Sequence, residues 1–308
     1  LKYHNYSYPP VSLLYTPLFA LLPYYAALVV WLSSTGALFI WAARPYLKSV
    51  GLPAALAIFL PASIVNMWAG HYGFLIGALW LGAWNLLDRR PLAAGALIGA
   101  MIVKPHLAVL APFMLAARGE WRAFAAAALT ALGLIGLSAL IFGPELWLTY
   151  LTTTAGTQAA MVNDVGTFFI LMMPTVVPQL SILGAPLQLA LILQAIVALV
   201  AVTAVLRSRH TDSQTFGLAG AVATFLVLPY AFSYDMTAAN LACLIAMTVC
   251  FGQTGHPWQK TWLALAFTLP VTILTMSRLD IAIAPLILAG ALYAMTRNGQ
   301  PHDSTTQG

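Results

Sequence analysis

Residues 91–117 read PLAAGALIGAMIVKPHLAVLAPFMLAA, two apolar halves meeting at Lys104-Pro105-His106. Each half has 13 residues. As helix that is roughly 20 Å, short of a hydrocarbon core of about 30 Å. The stretch therefore reads as a hairpin of two short helices with Lys104 at its tip. A lysine between two apolar segments is costly unless it meets an anion or water, and Pro105 frees backbone groups beside it. An anion site at Lys104 is the favoured reading, and snorkelling to an interface is the bland one.

Around the hairpin the chain is of one kind. Of 308 residues, 61% are hydrophobic and 7% charged. Ordinary soluble domains carry about a quarter charged residues, so this composition excludes a soluble enzyme. Apolar runs at 24–43, 52–69, 72–87, 121–142, 185–206, 215–232, 236–252, 260–276 and 280–296 each suit a span. With the hairpin counted as two, the expectation is an all-α polytopic membrane protein of about eleven crossings. Residues 1–296 form one transmembrane domain with a long outer loop at 143–184, and 297–308 read as a disordered cytoplasmic tail.

Laid on alternate sides, Arg44, Lys48, Arg89, Arg90, Arg118, Arg122, Arg207, Arg209, Lys260 and Arg297 share one face. Lys2, Lys104 and Arg278 share the other. The positive-inside rule makes the first face cytoplasmic, which puts the C-terminus inside and Leu1 outside. The charge belongs to membrane orientation, so no nucleic-acid partner is expected.

The outer face collects the polar residues: His4, Tyr6 and Tyr8 before Pro9-Pro10, Asn66 and His71 in one turn, Lys104 and His106, Asn163 and Asp164, Tyr234 and Asp235, and Arg278 with Asp280. A single site lined by Tyr8, Asn66, His71, Lys104, His106, Tyr234 and Asp235 follows. Asp235, in LPYAFSYDMTAAN, needs a partner or a function, with a helix cap as the cheap alternative. Arg278 either helps Lys104 and His106 bind an anion or pairs with Asp280. The stretch TFFILMMPTVVPQL at 167–180 is apolar but broken by Pro174 and Pro178, and reads as a re-entrant or interface-lying cover for the site.

Other features have bland readings. Gly73/Gly77 and Gly95/Gly99 carry the small-residue spacing of close helix packing. Trp31, Trp68, Trp84, Trp121 and Trp147 fall near span ends, as an interfacial belt does. Cys243 and Cys250 read as buried free thiols. Walker, zinc-protease, nucleophile-elbow and dinucleotide motifs are absent, and no cofactor or metal is called for, although His4, His71 and His106 could in principle gather one with Asp235.

The segments YSYPPVSLLYTPLFALLP (6–23), NMWAGHYGFLIGALWLGAW (66–84), RRPLAAGALIGAMIVKPHLAVLAPFMLAARGEWRAF (89–124) and FGPELWLTYL (142–151), in this order, resemble glycosyltransferase family 87. Those enzymes are polyprenyl-phosphate-mannose-dependent mannosyltransferases of the C-type superfamily. The resemblance implies a bacterial inner-membrane enzyme whose outer-face site moves a sugar, mannose, from a polyprenyl-phosphate donor to a lipid or glycan acceptor. It also implies a catalytic aspartate in an outer loop that precedes Y-x-Y-P-P and would lie upstream of Leu1. The chain therefore reads as N-terminally truncated, with its catalytic base unassigned and Asp235 or Asp164 as the fallback. Members carry Gln where His71 stands, in a turn resembling N-x-x-x-G-Q. The competing class is a membrane transporter or lipid flippase, which would more typically show repeat symmetry between halves.

Overall fold

A computed structural model describes residues 7–154, 156, 168–252 and 255–297. The expectations placed on Lys2, His4, Tyr6, Asn163, Asp164 and the tail 298–308 lie outside the described residues. So does Leu1, and with it the expectation of a catalytic aspartate upstream of Leu1.

The described residues form helices and no strand. In chain order the helices used below are α1 (Tyr24–Ser49), α2 (Pro61–Ala69), α3 (Gly73–Leu86), α4 (Pro91–Ala100), α5 (Ala111–Ala117), α6 (Trp121–Phe142), α7 (Val176–Ile182), α8 (Leu187–Arg207), α9 (Ser213–Val227), α10 (Thr237–Gly252), α11 (Pro257–Arg278) and α12 (Ala284–Arg297). Four of them, α1, α6, α8 and α11, are long and apolar enough to cross a membrane. Shorter apolar helices fill the runs at 72–87, 215–232 and 236–252, and two more form Pro91–Val103 and Pro105–Ala117 on either side of Lys104.

Proline sets many of the boundaries. The run 52–69, expected as a single span, is divided into a 3-10 segment at Ala54–Phe59 and α2. Leu60 is extended there (φ −60°, ψ 146°), because the ring of Pro61 disfavours helical backbone in the residue before it. Pro61 then starts α2, where its missing N–H is not needed. Gly70, at φ 67°, ends α2 in the left-handed region with its N–H on the Asn66 carbonyl. Asp212 caps α9 by accepting from the Thr215 N–H at 2.9 Å.

The interior is joined at small residues and through a few buried polar side chains. A Cβ at Gly95 or Gly99 would strike the carbonyls of Ala123 and Ala127, so α4 lies against the backbone of α6. Trp80 donates its indole N–H to Gly217 O at 2.8 Å, tying α3 to α9, and Tyr46 donates to Leu81 O at 2.8 Å, tying α1 to α3. Asn240 of α10 accepts from the Ala62 N–H at 3.0 Å and donates to Phe267 O at 2.7 Å. It thereby serves an orphan donor in the first turn of α2 and a carbonyl in the turn of α11 that Pro270 disturbs.

Two sequence readings change. Trp84 is not interfacial: it is fully buried, 5.5 Å from the Phe216 ring and packed over Gly217. Gly217 has no side chain, so the indole can fill that space. The stretch 167–180, read as a re-entrant or interface-lying cover, is built into the protein at 172–179, which removes the interface-lying alternative. Every residue from Met172 to Gln179 is buried, and Gln179 donates to Met173 O at 2.9 Å and to Ser277 Oγ at 3.1 Å. Cys243 and Cys250 are buried and free.

At the ends of α3 and α9 far from Lys104, Arg118 donates to Thr211 O at 2.7 Å and lies 3.7 Å from Asp88. Ser213 donates to the same carboxylate, closing that end. These groups sit in the basic turns that the charge count assigned to one face.

Candidate functional site

The hairpin tip is built by backbone restriction. A 3-10 turn at Met101–Val103 leads to Lys104 at φ −143° and ψ 67°, and Pro105 begins a second 3-10 turn through Ala108. The lysine cannot continue the helix of α4. Its side chain is turned into the protein, where Nζ lies 2.6 Å from both carboxylate oxygens of Asp235. The two side chains are 7% and 0% exposed.

Asp235 closes a 3-10 turn, Ser233–Asp235, between α9 and α10. The helix-cap alternative fails, because its carboxylate is turned to the lysine. Snorkelling of Lys104 is likewise overturned, because the burial of both partners leaves the ammonium no route to water except through the pair. Aromatic rings complete its surroundings: Nζ is 5.0 Å from the centre of the Tyr234 ring and 5.9 Å from that of Tyr8. Facing rings of this kind favour a cation electrostatically.

The Gly70–Gly73 turn supplies the next layer. His71 stacks on Tyr234 with ring centres 4.2 Å apart, and its Nδ1 is 2.8 Å from the Tyr8 hydroxyl. Burial, and then the nearby Lys104 charge, hold the His71 imidazole down at about 4. It is a neutral ring at pH 7. Asn66 accepts from the Gly73 N–H at 2.9 Å, which fixes the turn. A Cβ at Gly73 would strike the Tyr234 carbonyl and the Asn66 amide, and one at Gly77 the Thr237 hydroxyl. The Gly73/Gly77 spacing thus packs α3 against the very turn that carries Asp235. Thr237 secures that contact by donating to Gly73 O at 2.6 Å.

The expected residues are not all brought together. Tyr8, His71, Lys104, Tyr234 and Asp235 form one contact network, with Asn66 behind it. His106 is turned to the Tyr230 ring, 5.4 Å between centres, and its buried Nε2 has no hydrogen-bond partner among the described residues. Arg278 is exposed at the end of α11, and neither ion pair among the described residues involves it. A cavity of about 20 Å³ touches Asp235, lined by Gly77, Trp80, Thr224 and apolar neighbours, which is room for about one water.

The cluster is thus a buried cation bound to a carboxylate, with aromatic rings around it and apolar helices on all sides. The model of glycosyltransferase family 87 matches residues 6–229. The chain belongs to glycosyltransferase family 87. Neither the curated proteins nor the solved structures yield a match. As a family 87 glycosyltransferase with several apolar helices, it is a membrane enzyme that transfers a sugar from a donor to an acceptor. The matched segment holds Tyr8, Asn66, His71, Lys104 and His106, while Tyr234, Asp235 and Arg278 lie beyond it.

In this glycosyltransferase several residues of the cluster escaped the reading of the sequence. Phe232 stacks on Tyr234 at 4.9 Å, and Tyr72 lies 4.4 Å from the Tyr8 ring. Trp31 donates to His71 O at 3.3 Å. The dense aromatic spacing in LPYAFSYD was the available signal for Phe232; nothing local marks Trp31, which reaches the turn from α1.

Proposed function

We propose that the chain is a polyprenyl-phosphate-dependent mannosyltransferase of about eleven crossings, working at the outer face of a bacterial cytoplasmic membrane, with its C-terminus in the cytoplasm. The observation that carries this reading is the buried Lys104–Asp235 pair at the tip of the short hairpin. Beyond the cytoplasmic membrane nucleotide sugars are absent, so an activated sugar arrives on a lipid phosphate held within the bilayer. Phosphate leaves well when a fixed cation meets its growing charge, and Lys104 is that cation. The acceptor, a lipid or glycan hydroxyl, loses a proton as it attacks the anomeric carbon, which calls for a carboxylate.

His71, neutral and hydrogen-bonded to Tyr8, orients the aromatic wall against which the sugar ring lies. His106 is the second group offered to the phosphate, since its buried Nε2 has no hydrogen-bond partner among the described residues. Arg278, being exposed, is left to an early, solvated contact with the phosphate and takes no part in the buried pair.

The test is sugar transfer from polyprenyl-phosphate mannose to a lipid acceptor in reconstituted bilayers. Lys104→Gln is expected to lower the rate at least thirtyfold, about 2 kcal/mol, the usual scale for an electrostatic stabiliser in a dry site. Lys104→Arg retains part of the activity, because a planar guanidinium cannot sit as a compact ammonium does. Equal rates in the parent protein and Lys104→Gln would remove the phosphate from Lys104.

A further inference from the structure

We propose that Asp235 is a resident counter-ion which the donor's phosphate replaces on Lys104, the displaced carboxylate taking up one proton as it lets go. This rests on the reading that Lys104 is the ligand of the donor phosphate. The observation behind it is that the lysine is already neutralised. Its Nζ contacts both oxygens of Asp235 at 2.6 Å, and among the described residues Lys104 is the only side chain donating to that carboxylate. A phosphate brought to Nζ adds a second anion to a single cation.

A dry site does not tolerate that excess. The titratable groups around the carboxylate are Lys104 and His106 on the hairpin, His71 on the α2–α3 turn, Tyr8 on the N-terminal segment, and Tyr234 and Tyr230 on the α9–α10 connection. None is a second fixed cation: the tyrosines and the buried His71 and His106 are neutral at pH 7, and Arg278 is exposed. The space beside Asp235, about 20 Å³, holds roughly one water and cannot hydrate a free carboxylate. The rings of Tyr8 and Tyr234 favour the ammonium over the carboxylate, so losing its partner harms Asp235 more than Lys104.

The exchange balances. The pair begins neutral, a phosphodiester brings one negative charge, and one proton from water comes with it. At the end Lys104 faces the phosphodiester and Asp235 is a neutral acid. No bond of the donor has changed at this stage. A phosphodiester does not titrate near neutrality, so any proton taken up is taken up by the protein.

The experiment is calorimetric titration of the full chain, in nanodiscs of zwitterionic lipid without acceptor, with polyprenyl-phosphate mannose. Buffers of different ionisation enthalpy at pH 7 give the number of protons bound. The parent is expected to take up about one proton per donor, and its affinity to fall about tenfold per pH unit above neutrality. Asp235→Asn, which keeps the shape and removes the competing charge, is expected to bind about tenfold more tightly with no proton uptake.

Zero uptake by the parent overturns the proposal, as does uptake that persists in Asp235→Asn, which would assign the proton to a histidine. If Asp235→Asn does not fold, the parent's proton count decides alone. Lys104→Gln separates the two readings. Parent-like binding by Lys104→Gln sinks the placement of the phosphate itself; binding lost in that variant, with no proton taken up by the parent, sinks only the counter-ion exchange.

Discussion

Lys104 and Asp235 are 131 positions apart in the chain and meet with Nζ 2.6 Å from each carboxylate oxygen, both side chains almost wholly buried. The pair ties the hairpin tip to the turn between α9 and α10. Removing one partner leaves an uncompensated buried charge, so Lys104→Met or Asp235→Leu alone should destabilise the protein by about 3–5 kcal/mol. The double variant is expected to recover most of that loss. Thermal melting in detergent of the two singles and the double checks this, and a double variant no better than the worse single would contradict it.

Gly73 and Gly133 differ in what a side chain would meet. Gly73→Ala pushes a methyl group into the Tyr234 carbonyl and the Asn66 amide, while Gly133 has nothing within 4 Å. Gly73→Ala should therefore lower stability by about 2 kcal/mol or more, and reduce transfer by shifting the turn that carries Asp235. Gly133→Ala, inside α6, is expected to be neutral or stabilising by up to about 1 kcal/mol. Melting temperatures of the two variants read the contrast directly.

His71 is held neutral, its folded value near 4 lying below the ordinary 6.5. The unfolded chain therefore binds the proton more readily, and folded stability falls as pH drops from about 6.5 toward 4. By pH 5 the loss is on the order of 2 kcal/mol. His71→Gln, which can still meet the Tyr8 hydroxyl, should abolish that part of the pH dependence. Melting curves of the parent and variant at pH 7 and pH 5 decide it; identical slopes would show that His71 carries none of the effect.

Asn240 holds two helices by one amide, accepting from Ala62 N and donating to Phe267 O. Asn240→Leu leaves the buried Ala62 N–H without its acceptor and takes a donor from Phe267 O, with an expected cost of about 1–3 kcal/mol. Asn240→Asp retains the acceptor but forfeits the donor and buries a charge, and is expected to be no better. A melting temperature within a degree of the parent for Asn240→Leu would refute the bridging role.

Much of the helical layout could be read from composition and periodicity, since solvation of an apolar chain is a property of each segment alone. The runs at 24–43, 121–142, 185–206 and 260–276 fall on α1, α6, α8 and α11. The hairpin at 91–117 was legible because Lys-Pro interrupts an otherwise apolar stretch. Proline effects of one residue's reach were harder to place, and the division at Leu60-Pro61 passed as one span because the hydropathy on either side is continuous. Family membership was legible for a similar reason, in short strings kept in order along the chain.

The site was legible only as an inventory. Lys104 and Asp235 each stood out as a charge that needed a partner, yet nothing local says that they are each other's. That is decided by how closely α3 approaches the α9–α10 turn, which depends on Gly73 and Gly77 having no side chains and on Thr237 reaching Gly73 O. The same packing turns His71 onto Tyr234, leaves His106 facing Tyr230, and keeps Arg278 on the surface. Segment hydropathy sums over neighbours in the chain, so it reports where helices form; the pairing of charges sums over neighbours in space, and only the packed helices supply those.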